Sequence, residues 1–100
     1  MITKYNFDIE KKFVTADINR LTNQLWKLIP MKENYEDWKS QLETVLIELV
    51  GFNEILNVDE KFLILLTKLE GLKIQEEIEF PIYRKTVFES ISLLREIKYE

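Results

Sequence analysis

Three serines, two glycines and a few spaced glutamates are all this chain offers for conventional chemistry, because it has neither cysteine nor histidine. Without thiolate or imidazole there is no disulfide, no zinc finger, no His-ligated metal and no triad built on an imidazole base. Ser40, Ser90 and Ser92 have only lysines such as Lys39 to activate them, and no motif supports a Ser–Lys pair. Gly51 and Gly71 stand twenty residues apart with no glycine between them, so no phosphate-cradling loop is encoded. Glutamates three apart can aim oxygen ligands at Mg²⁺ from one helix face, and Glu33/Glu36 and Glu76/Glu79 have that spacing.

All-α nucleotide pyrophosphohydrolases pair such an ExxE with an ExxD on the following helix. Here Glu54 is followed by Asn57 and Glu96 by Tyr99, so the second pair is missing. Acids at a helix start are also explained by the macrodipole alone. A Mg²⁺-dependent hydrolase is therefore the second alternative, and no catalytic residue, cofactor or metal is expected.

Residues that suit a binding surface are easier to find. Glu76, Glu77 and Glu79 surround Ile78 and Phe80 in a segment that can present an acidic, partly apolar edge to a basic partner. Tyr83 and Arg84, with Lys85, put cations in the first turn of a helix, where the macrodipole opposes them. The simplest balance for that charge is the acidic segment just before it. Trp26 and Trp38 flank Pro30 and are expected to clasp that corner; a solvent-facing Trp26 would instead be an interface hot spot.

The elements that must position these residues are helical. One hundred residues, 46% hydrophobic and 32% charged, describe a single globular domain spanning 1–100 with one core. Val14, Ile18, Leu21, Leu25 and Leu28 recur every three or four residues and predict a helix over about 8–29, stopped by Pro30. Trp38, Leu42, Val45, Leu49, Phe52 and Leu56 predict a second over about 35–56, with Asn34 and Asp37 as its capping box. The stripe crosses Gly51 unbroken, which implies close approach of a neighbouring helix there.

Asn57 with Glu60 opens a third helix over about 59–70, and Gly71 supplies its left-handed end. Pro81 begins a fourth, over about 81–98, on the stripe Tyr83, Val87, Ile91 and Leu94. Residues 72–80 read as an irregular connection, with a minor β-ribbon pairing 3–9 and 72–80 as the other option. The expected fold is an all-α antiparallel four-helix bundle.

The apolar supply exceeds the needs of one bundle. Leu46, Ile47, Val50 and Ile55 form a second set on the second helix, and Phe62 to Leu66 are apolar without a break. Surplus apolar surface usually meets another chain, and a homodimer is the cheapest arrangement. The charge of −4 is uneven: residues 1–30 sum to +2, 31–80 to −7 and 81–100 to +1. No stretch concentrates enough Lys and Arg to displace counterions from a phosphate backbone, so direct nucleic-acid binding is not expected.

Met1 to Glu10 carries Asp8 and Glu10 where a secretion signal would be apolar. The longest apolar run is far too short for a bilayer, so no membrane association is expected and the expected compartment is the cytoplasm. The Ile-, Lys- and Asn-rich vocabulary resembles that of low-GC bacteria, their phages and mobile elements. The leading expectation is a non-enzymatic protein–protein interaction module that acts as an accessory, adaptor or inhibitor. Its candidate contacts are Trp26, Leu46, Val50, Glu76, Glu77, Glu79, Tyr83 and Arg84. The first alternative, motivated by the acidic middle, is an acidic decoy that blocks a nucleic-acid-binding enzyme.

Overall fold

The computed structural model describes residues 11–55, 60–75 and 77–96. Four helices make up nearly all of them: α1 (Lys11–Glu33), α2 (Trp38–Ile55), α3 (Glu60–Ile74) and α4 (Phe80–Glu96). Each packs on its neighbours in chain order, α4 closes the ring against α1, and the backbones of the diagonal pairs stay apart. This is an antiparallel four-helix bundle. No described residue is in a strand; residues 72–74 finish α3, 75 and 77–79 are irregular, and residue 76 and the other half of the ribbon, 3–9, lie outside the described residues.

The core is the set of helical stripes. Val14, Ile18, Leu21, Leu25 and Leu28 of α1 face Leu42, Val45, Leu46 and Leu49 of α2, Phe62, Leu65, Leu69 and Leu72 of α3, and Tyr83, Val87, Ile91 and Leu94 of α4. A period of three and four residues puts such side chains on one face, so burying that face aligns every helix around one axis. Ser90 is also buried, its hydroxyl donating to the Thr86 carbonyl at 2.8 Å.

Helix ends are where local signals and structure part. Pro30 does not stop α1, which continues to Glu33. Proline in a helix removes a hydrogen bond and crowds the preceding turn, a cost of about 3 kcal/mol. Here packing on both sides of it offsets that cost: Ile29, just before it, lies against the core, and Lys32, beyond it, lies over the rings of Trp38 and Tyr83. The true end is a left-handed turn at Tyr35, φ 58°. Glu36 N–H donates to the Met31 carbonyl at 2.8 Å and Tyr35 N–H to that of Lys32 at 3.2 Å, the paired bonds of a Schellman cap.

Because α1 runs on, Asn34 belongs to its end and cannot start α2. Asp37 takes that place. Its carboxylate accepts from the Ser40 N–H at 3.2 Å and from the Ser40 hydroxyl at 2.6 Å. These bonds hold the Asp37 carboxyl below its ordinary range.

Gly51 lies within α2, as its stripe implies, but no neighbouring helix approaches it. A Cβ there would meet nothing within 4 Å. Gly71 likewise does not end α3; its φ is not positive and the helix continues to Ile74. Asn57, the expected boundary between α2 and α3, lies outside the described residues.

Candidate binding surfaces

Three concavities among the described residues differ in chemistry. The first is a shallow groove of about 350 Å³ between α2 and α3. Leu46 forms its base, Ile47, Val50 and Gly51 one side, and Glu70 and Lys73 the other. Ile47 is 65% exposed and Val50 40%. Leu63, two turns before Glu70 on the same flank of α3, is 56% exposed. Lys73 bonds Glu43 across the groove at 2.8 Å, which raises the lysine pKa. Lys73 and Glu43 are thus already paired with each other, and aliphatic side chains make up most of the rest of the lining.

The second, about 590 Å³, lies between α3 and α4 over Ile64, Phe88 and Leu93. Arg84 stacks on Phe88 at 4.7 Å from the ring centroid, and Trp26 meets the same ring edge-to-face at 4.9 Å. Lys68 donates to Glu89 at 2.8 Å and holds that carboxyl below its usual range.

The third, about 490 Å³, opens at the end of the bundle where the α1–α2 and α3–α4 connections meet. Tyr35, Trp38, Phe80 and Ile78 line it, with Lys32, Glu33 and Glu36 at its rim. Behind it Tyr83 is fully buried, edge-to-face with Trp38 at 4.9 Å. The Tyr83 hydroxyl donates to the Leu28 carbonyl at 2.9 Å, and burial pushes the phenol pKa well up. That bond ties α4 to α1 two residues before Pro30.

The expected contact residues therefore divide. Trp26 and Arg84 come together, through Phe88, on the α4 side. Val50 is on the opposite flank, exposed. Leu46 and Tyr83 belong to the core, at 3% and 0% exposure, so their apolar surface is spent on packing within the chain. Glu77 and Glu79 are exposed beside the end pocket, and Glu76 lies outside the described residues. The two tryptophans do not clasp a corner at Pro30, since there is none; Trp26 and Trp38 dock at separate points on α4. Nor do Arg84 and Lys85 pair with Glu77 or Glu79; Arg84 finds an aromatic face instead.

Phe88 and Tyr35 were not expected as site residues. Arg84 and Phe88 are four apart on one helix, a spacing that brings side chains together, so that contact could have been read. Tyr35 carried a weaker signal, an aromatic set between Glu33, Glu36 and Asp37. Among the described residues no three acidic side chains gather where a metal ion could be held, and no helix is long and apolar enough to cross a membrane. No protein-family model, curated protein or solved structure matches this chain.

Proposed function

We propose that the protein is a non-enzymatic helical interaction module of the cytoplasm, which pairs with a second copy of itself and serves as an accessory or inhibitor of another protein. The observation that carries this reading is the row of aliphatic side chains along the α2–α3 groove, with Ile47, Val50 and Leu63 each at least 40% exposed. Single exposed apolar residues are ordinary on protein surfaces; adjacent ones around a concavity with an apolar base mark an interface. A two-fold axis along the groove would set Ile47 and Val50 of one copy against Leu63 of the other.

Light scattering after size exclusion, at two concentrations about a hundredfold apart, tests this reading. A dimer at the higher concentration that Ile47→Lys with Val50→Lys converts to monomer supports it. A monomer at both concentrations removes the self-association.

A further inference from the structure

Several carboxylates along the helix flanks hold a cation of their own chain, and a cluster at one end of the bundle does not. Along the helix flanks Glu43 holds Lys73, Glu48 holds Arg20, Glu89 holds Lys68 and Glu96 holds Lys61. At the end of the bundle Glu33, Glu36, Glu77 and Glu79 hold no cation among the described residues. Helices that alternate in direction bring both connections to this end, so acids more than forty residues apart in the chain share one surface.

Between them lies the aromatic pocket. Tyr35 is 97% exposed at its lip, and Trp38 and Phe80 form its walls. Its rings already draw cations from their own chain: the Lys32 ammonium lies 5.2 Å from the centroids of both Trp38 and Tyr83, and that of Lys39 lies 5.7 Å from Trp38. Aromatic faces attract ammonium and guanidinium groups through the ring quadrupole. The pocket's own cation is Lys32; Arg84 and Lys85 lie on the other flank of α4, in the groove with α3.

We propose that this pocket takes a lysine or arginine side chain from a basic segment of a partner protein. The cation sits over Tyr35 and Trp38, the carboxylates of Glu33 and Glu36 close around it, and Glu77 and Glu79 steer neighbouring positive charges of the segment. Lys32 acts as a placeholder that the incoming cation displaces. The inference rests on the reading of the protein as a binding module but not on its pairing with itself, which light scattering tests separately.

The test is an NMR titration of the ¹⁵N-labelled protein with a Gly-Ser peptide bearing alternating lysines and arginines. The same peptide with norleucine and citrulline in their place is the neutral comparison. The expected result is movement of the Trp38 indole N–H and the amides of residues 33–38 and 77–80, with the Trp26 indole unmoved. Glu33→Gln, Glu36→Gln and Tyr35→Ala, all at exposed positions, each weaken binding by about two- to fivefold. Lys32→Met strengthens it, and Glu60→Gln, at the other end of the bundle, leaves it unchanged.

The proposal is overturned if the neutral peptide gives the same shifts, if the shifts spread evenly over Glu43, Glu48 and Glu70, or if Lys32→Met weakens binding. It is also overturned if Glu33→Gln with Glu36→Gln changes the mass of the protein alone, which would make the pocket a contact between copies.

Discussion

The middle of α2 and the turn that precedes α2 are opposites. At Gly51 the chain places glycine inside a helix where an added Cβ would meet nothing within 4 Å. At Tyr35 it places a large aromatic in a left-handed conformation, where glycine is the favoured residue. Each is the wrong choice for local stability, and each borders a concavity with exposed apolar side chains. Residues kept against local preference point to a demand other than folding. On the two proposals above, that demand at Gly51 would be a clear groove beside Ile47 and Val50, and at Tyr35 a ring at the lip of the end pocket.

The comparison can be broken from beneath both regions or sharpened at each. Leu69→Ala, a fully buried site on α3, is expected to destabilise the bundle by about 2–5 kcal/mol in urea denaturation and to loosen both regions together. A loss confined to one region would mean that the two do not share a core.

Tyr83→Phe leaves the Leu28 carbonyl without the hydroxyl and is expected to cost about 1 kcal/mol. It also has a pH signature. The phenol pKa is raised in the folded state, so its contribution is complete below 10.0, the ordinary tyrosine value, and is lost as pH rises above it. The unfolded chain ionises there while buried Tyr83 stays neutral. Wild-type stability should fall through that range more steeply than that of Tyr83→Phe, measured by denaturation from pH 8 to 11.

Tyr35→Gly relieves the left-handed strain and is expected to stabilise the protein by about 1 kcal/mol while weakening cationic-peptide binding. Stabilisation with unchanged binding would leave the tyrosine without its proposed role. Gly51→Ala should add about 0.5–1 kcal/mol at the flank, with no effect on the peptide. A smaller thermal shift at Gly51 than at Tyr35 is the ordering that the comparison implies.

How much could be read in advance follows the range of each signal. Every described residue of the stripes read on α1, α2 and α4 is buried or half-buried, because a stripe needs only neighbours three and four positions away, whereas the unbroken run Phe62 to Leu66 on α3 leaves Leu63 and Ile64 exposed. The Arg84–Phe88 contact, four residues apart on one helix, was within reach of the same signal. The ends were harder. Pro30 and Gly71 are strong local stops, and both were overridden: Lys32 lies over Trp38 and Tyr83 beyond the proline, and Leu72 is buried beyond the glycine. Tyr83 and Leu46 were misplaced because an apolar residue at the edge of a stripe faces core or solvent according to where the next helix sits.

By itself the sequence determined the helical class, the buried faces and the absence of imidazole and thiol chemistry, since composition and a 3.6-residue period are properties of the chain alone. The tertiary structure decided where α1 ends, which residue caps α2, and that Glu33 and Glu36 share a surface with Glu77 and Glu79. Those outcomes depend on contacts between residues tens of positions apart, whose energies rival the few kcal/mol of a local cap or proline. Only the folded bundle sets the two against each other.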